Sequence, residues 1–205
     1  MNCDLPERID PENKEPLSIT RLCLYNDPML GMVDRHLEGC DLRGHFERVT
    51  AQLKSANGEK DIFAPAYEVI VLLSSLLENK ADFGVRLKAA YDAGDREALA
   101  ALLAECDVIV EKIRALRASH RASWMEYNKP FGWEVHDIRY GGMLARFDTV
   151  KERLGAYLAG ETDRLEELEE RRLRLDGQLG EDAQPRFHGR FLWTQYGFVS
   201  TAGIL

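Results

Sequence analysis

From residue 61 onward, apolar side chains recur three and four positions apart. Tyr67, Ile70, Val71, Ser74, Leu77, Phe83, Leu87 and Tyr91 form one such stripe, and this spacing puts them on one face of an α-helix. Asp61 is placed to act as its N-cap, and Pro65 falls in the first turn, where a missing N–H costs nothing. Asp92-Ala93-Gly94-Asp95 reads as a helix stop followed at once by a new N-cap. Leu99, Leu102, Leu103, Cys106, Val110 and Ile113 make a second stripe, extended by Leu116, His120 and Trp124. A third carries Met143, Phe147, Val150, Leu154 and Tyr157, with Gly160 as its stop. Long helices are therefore expected over 62–91, 95–123 and 142–159. The short connection between the first two predicts an antiparallel pair.

The remaining segments are less regular. In LSITRLCLYNDPMLGMVDRHL the alternation of Leu22 and Leu24 with Arg21 and Cys23 is weakly strand-like, but Asp27-Pro28 and Gly31 interrupt it. Asp41 is expected to cap a short helix running to about Lys54, closed by Asn57-Gly58. Thr162 is expected to cap a short charged helix, DRLEELEERRL. Residues 1–16 hold three of the seven prolines and read as a linker or arm. Residues 17–205 read as one helical domain whose tail is aromatic (Phe187, Phe191, Trp193, Tyr196, Phe198). No internal repeat is visible. The fold class is all-α, a helical bundle with a non-helical polar-aromatic insertion at 124–142.

Composition narrows the function. A formal charge of -8 argues against a phosphate-binding surface, so nucleic acid is not an expected partner. Neither a signal peptide at the start nor a membrane-length apolar run is apparent, so the expected compartment is cytoplasmic and no membrane contact is expected. The four cysteines form no CxxC pair and read as reduced thiols, with Cys106 buried on a helix face. The five histidines include neither HExxH nor a pair four apart, so no metal site is expected. Nucleotide-binding and nucleophile-elbow motifs are absent, and no cofactor is implied. The acidic run Glu161 to Glu170 lacks the spaced ligands and turn glycine of a calcium loop, and reads as a solvated helix.

One segment resists a bland account. WMEYNKPFGWEVHDIRYGG (124–142) packs Asn, Lys, Glu, His, Asp and Arg among aromatics in a short stretch without helical period. Core aromatics flanking an Asn128-Lys129-Pro130 turn would explain part of it. Aromatic faces interleaved with hydrogen-bonding groups also suit a sugar-facing or interface surface. Both readings stay open on the residues alone. The candidate binding or interface residues are Trp124, Asn128, Lys129, Phe131, Trp133, Glu134, Asp137 and Arg139. No catalytic residue is identified.

The segments LYNDPMLGMVD (24–34), ENKADFGVRLKAAY (78–91), Trp124 with NKPFGWEVHDIRYGGMLAR (128–146) and RLGAYLAGETDRLEELEERRL (153–173) resemble the C-terminal helical domain of one group of bacterial glycoside hydrolase family 20 β-N-acetylhexosaminidases. The resemblance runs from about residue 18 to the end, with His136 and Tyr140 as departures. It implies a parent enzyme whose catalytic (β/α)8 barrel carries an adjacent Asp-Glu pair. The Asp orients the substrate's acetamido group and the Glu is the general acid. This sequence contains no Asp-Glu dipeptide, and such a barrel needs about 250 residues. The resemblance therefore implies a non-catalytic domain, inactive alone, that partners a barrel and joins two subunits into a homodimer. Through the parent enzyme it would meet glycans containing N-acetylhexosamine, and residues 124–142 would sit near the barrel mouth. A free-standing helical scaffold or carbohydrate-binding module is the alternative.

Overall fold

The computed structural model describes residues 19–31, 33–56 and 63–172, and all its regular elements are helices. They are α1 (Ile19–Tyr25), α2 (Asp34–Leu37), α3 (Leu42–Ala56), α4 (Ala64–Lys80), α5 (Phe83–Asp92), α6 (Arg96–Tyr127), α7 (Trp133–Ala159) and α8 (Glu166–Glu169). The expectations for residues 1–16, Asn57-Gly58, Asp61 and the aromatic tail lie outside the described residues.

α6 is the spine. Its 32 residues span about 48 Å, with α4 packed on one side and α7 on another, while α3 packs on α4. Side-chain pairs fix the directions. Ser119 meets Glu68, Lys112 meets Glu78 and Glu105 meets Asn79, so α4 and α6 run antiparallel. His120 meets Tyr140, Asp107 meets Lys151 and Arg96 meets the Leu158 carbonyl, so α6 and α7 do too. The core between them holds Leu76, Leu77, Leu87, Leu99, Ile109, Ile113, Phe147 and Val150, with Phe83 edge-on to Phe147 at 5.4 Å.

The stop-and-cap reading at 92–95 holds. Gly94 takes φ +66°, and the Asp95 carboxylate accepts the Ala98 N–H at 3.0 Å. Asp41 likewise accepts the Gly44 N–H at the start of α3, and Gly160 ends α7 at φ +76°. Cys106 is buried in the core, and its thiol is pushed up to about 12 by desolvation.

Four expectations need correction. The single helix over 62–91 is two, broken at Ala81-Asp82. There Lys80 turns inward, Arg86 Nη2 donates to the Asn79 carbonyl at 3.0 Å, and Arg86 Nε binds Asp82. Arg86 thus supplies the donor for the Asn79 carbonyl at that end. Ile70 is not on the buried stripe; it is 52% exposed, and the core face of α4 runs through Ser74, Leu76, Leu77 and Lys80. The weakly strand-like residues 19–25 are helix α1. Thr162 does not cap a charged helix: its hydroxyl donates to the Arg164 carbonyl, and α8 has only four residues, behind the buried Leu165. The fifth difference, at 124–142, concerns the candidate site.

A buried ionic knot holds the loop 26–34 against the bundle. The Lys80 ammonium, 4% exposed as a residue, donates to the carbonyls of Asn26 (2.9 Å) and Cys23 (3.3 Å). Desolvation lowers it to about 8, against the pull of Asp27. The Asp27 carboxylate accepts Met29 and Leu30 N–H groups and a two-pronged contact from Arg146. Asp34 accepts Asn26 Nδ2 at 2.7 Å and faces Arg172 Nε at 3.3 Å, an ion pair without hydrogen-bond alignment. Burial raises the Asp34 carboxyl despite that guanidinium. Arg172 also donates to the Leu30 and Met29 carbonyls. A Cβ at Gly31 would lie 2.1 Å from Asp34 Oδ2, so the backbone must be bare there.

Two outcomes check this account. Leu77→Ala should lower unfolding free energy by about 2–5 kcal/mol, whereas Ile70→Ala should change it by less than about 0.5 kcal/mol in urea titrations. Asp27→Ala, which strands Arg146 beside a buried loop, should cost about 3–5 kcal/mol.

Candidate functional site

Helical structure reaches much further into 124–142 than the sequence pattern suggests. α6 continues to Tyr127 and α7 already begins at Trp133, so only residues 128–132 are non-helical. The interlude is a tight, internally bonded turn. The Asn128 N–H donates to the Trp124 carbonyl at 2.8 Å, and Trp124 Nε1 donates to the Lys129 carbonyl at 3.0 Å. Gly132 sits at φ +95°, and a Cβ there would lie 3.3 Å from the Trp124 ring. The Glu134 carboxylate accepts the Gly132 N–H at 2.8 Å and supplies negative charge at the start of α7.

Behind the turn, five rings pack between the last turns of α6 and the first turns of α7. The ring centroids of His120 and His136 are 4.7 Å apart, edge to face. Trp124 lies 5.2 Å from His136 and 6.1 Å from Trp133. Trp133 lies 5.2 Å from His120 and stacks on Tyr140 at 6.4 Å. Polar contacts tie the rings to the helices: His120 Nδ1 meets the Tyr140 hydroxyl at 3.0 Å, and Trp133 Nε1 donates to Asp137 at 2.9 Å. Arg117 donates to the same Asp137 oxygen at 2.7 Å, and that hydrogen bond holds the carboxyl below its usual range. Burial pushes the Tyr140 phenol up.

The eight candidate residues therefore divide. Trp124, Trp133 and Asp137 come together around the ring cluster. Trp133 is buried, so it positions its neighbours rather than facing solvent. Asn128, Lys129 and Glu134 are exposed on the turn, and Phe131 is 84% exposed at its tip. Arg139 faces elsewhere, its guanidinium 5.6 Å over the Tyr25 ring of α1. There it lines an open cleft of about 360 Å³ with Thr20, Arg21, Leu24, Tyr25 and Leu73.

Sequence reasoning missed His120, His136, Tyr140 and Arg117 as members of this site. Their signal was present but split between two helices: Trp133, His136 and Tyr140 keep helical spacing, as do His120 and Trp124. Only the antiparallel pairing about the 128–132 turn superimposes them. The exposed apolar side chains were also missed as a set. Tyr127 (49%), Phe131, Val135 (42%) and Ile138 (55%) stand at this same end of the bundle, Val135 and Ile138 one turn apart.

In this arrangement Asp137 is bound by Arg117 and Trp133, and Glu134 accepts the Gly132 N–H. Among the described residues, no group of three or more His, Cys, Asp or Glu is placed to hold a metal ion, and no helix is long and apolar enough to cross a membrane.

Trp133→Ala should destabilise the chain by about 3–5 kcal/mol, because a buried indole is lost. Gly132→Ala, forced into positive φ beside Trp124, should cost about 1–3 kcal/mol. Phe131→Ser should leave the thermal midpoint nearly unchanged.

Comparison with known proteins agrees with the motif resemblance. The family described as the Glycoside Hydrolase 20C C-terminal domain matches residues 1–187, taking in the proline-rich start. No curated protein matches the sequence. A match over so much of the chain, on an all-helical fold, shows that this protein belongs to the glycoside hydrolase 20C C-terminal domain family.

Proposed function

We propose that the chain serves as the non-catalytic helical domain of a β-N-acetylhexosaminidase, docking by its α6–α7 end against a catalytic barrel, of the same subunit or of its partner in a dimer. The observation that carries this reading is the contrast at that end. Phe131 on the turn, and Tyr127, Val135 and Ile138 on the flanking helices, are exposed apolar side chains, and the turn between those helices is fixed from behind by the five-ring cluster. Apolar side chains gathered at one exposed end suit a contact site. A rigid backbone also limits the ordering entropy lost on association. The exposed Asn128, Lys129 and Glu134 supply a polar rim around that contact. In this reading Trp124, Trp133 and Asp137 position the turn, and Arg139 belongs to the neighbouring cleft.

Membership of the family supports the barrel as partner, and a barrel bound at this end would bring the rim near substrates bearing terminal N-acetylhexosamine. The chemistry itself is assigned to the barrel, since the chain holds no Asp-Glu pair.

Two measurements test the reading. The 205-residue chain should not hydrolyse an aryl β-N-acetylglucosaminide above background, and turnover that survives re-purification would contradict it. In the complete enzyme, Phe131→Asp with Ile138→Asp should lower kcat/KM or the mass seen by light scattering, with the melting temperature little changed. Wild-type kinetics and mass in that double variant would refute docking through this end.

A further inference from the structure

We propose that the paired imidazoles of His120 and His136 make the α6–α7 end responsive to pH, keeping it ordered when both are neutral and loosening it when the pair takes up protons. This rests on the docking reading above, because the end they underlie is the surface that would be regulated.

The geometry sets the conflict. The two rings are 4.7 Å apart and each touches both Trp124 and Trp133. Neither ring can withdraw without disturbing the indoles that fix the turn. His120 Nδ1 lies 3.0 Å from the Tyr140 hydroxyl, which is buried. With Nδ1 unprotonated, the phenol donates to it. Protonation there makes Nδ1 a donor, so the phenol must redirect its own proton within a packed interior. Protonating both would place two like charges side by side.

The surrounding charges do not relieve this. On α7, Asp137 is already shared between Arg117 and Trp133, and Arg139 adds positive charge beside His136. On α6, Arg117 and Arg121 both act on Asp137. On α1, Tyr25 neighbours Tyr140, and Glu68 of α4 is bonded to Ser119. Burial, then the other imidazole, lowers His120; burial, then Arg139, lowers His136, with Asp137 opposing. Histidines held below their unfolded value of about 6.5 favour the folded form fully above that pH. Their contribution is lost as pH falls below it, and the loss levels off beneath the folded values.

Ring-proton NMR and tryptophan emission of the 205-residue chain test the proposal from about pH 7.5 to about pH 5. His120 and His136 should titrate in two coupled steps below the ordinary value, with the emission changing over the same range. His136→Gln should raise the His120 midpoint by about half a unit or more and diminish the emission change. Tyr140→Phe, which keeps every ring, should also raise the His120 midpoint. Independent titration of both histidines at the ordinary value, or emission that stays flat, would overturn the proposal. In the complete enzyme, Tyr140→Phe should shift the acid-side loss of kcat/KM upward. If that limb is unmoved while the chain shows the coupled titration, the docking reading fails and the switch itself stands.

Discussion

Burial of the Lys80 ammonium is the constraint around which this fold is arranged. A charged amine leaves water only where carbonyls and carboxylates replace the solvent it loses. Here those groups come from Asn26, Cys23, Asp27 and Asp34, residues far from Lys80 in sequence. The two carboxylates in turn require Arg146 from α7 and Arg172 from beyond α8. Displacing the loop 26–34, the end of α4, the middle of α7 or the segment after α8 would strand a charge in the interior. Removing one partner of such a buried pair leaves the other charge uncompensated, so these elements are tied to one another's positions. The knot also explains the motif NDPMLG and the lysine of ENKADFG, whose polar groups serve the interior. Glu78, Asn79 and Asp82 extend this logic at the surface of the same helix end, binding Lys112 and Arg86.

What the sequence made legible follows from which interactions are local. Long helices with apolar residues three and four apart were readable because that period reports burial of one face, and Gly94 with Asp95 marked a boundary by backbone and capping preferences. The break at Ala81-Asp82 was not readable, because Phe83 and Leu87 keep an apolar spacing across it. The cause lies in Lys80 and Arg86 reaching partners that the linear pattern does not reveal. Ile70 misled for the opposite reason: apolar character places a residue on a stripe but does not say how far the stripe stays covered. In residues 19–25, alternation over so few positions could not distinguish strand from helix.

The candidate site was legible in place but not in form. Concentrated polar and aromatic residues at 124–142 did mark an unusual end of the bundle. They concealed that α7 already runs through Trp133, Tyr140, Met143 and Phe147 with unbroken helical spacing. Polar groups in this stretch mask the helical period, because His136 and Asp137 are held by rings and by Arg117. Trp133 and Tyr140 face inward, while Phe131 and Tyr127 stand outward beside the polar groups of the turn. The division of labour is physical: buried rings set the backbone, and exposed side chains are then presented at low entropic cost.

That division gives the account its most direct test, hydroxyl-radical footprinting of side chains in the complete enzyme against the 205-residue chain. Phe131 and Tyr127, exposed here at 84% and 49%, should become markedly less reactive in the complete enzyme, while exposed residues at the Asp92–Asp95 end keep their reactivity. Equal labelling of Phe131 and Tyr127 in both forms would contradict the claim that this end of the bundle meets the barrel.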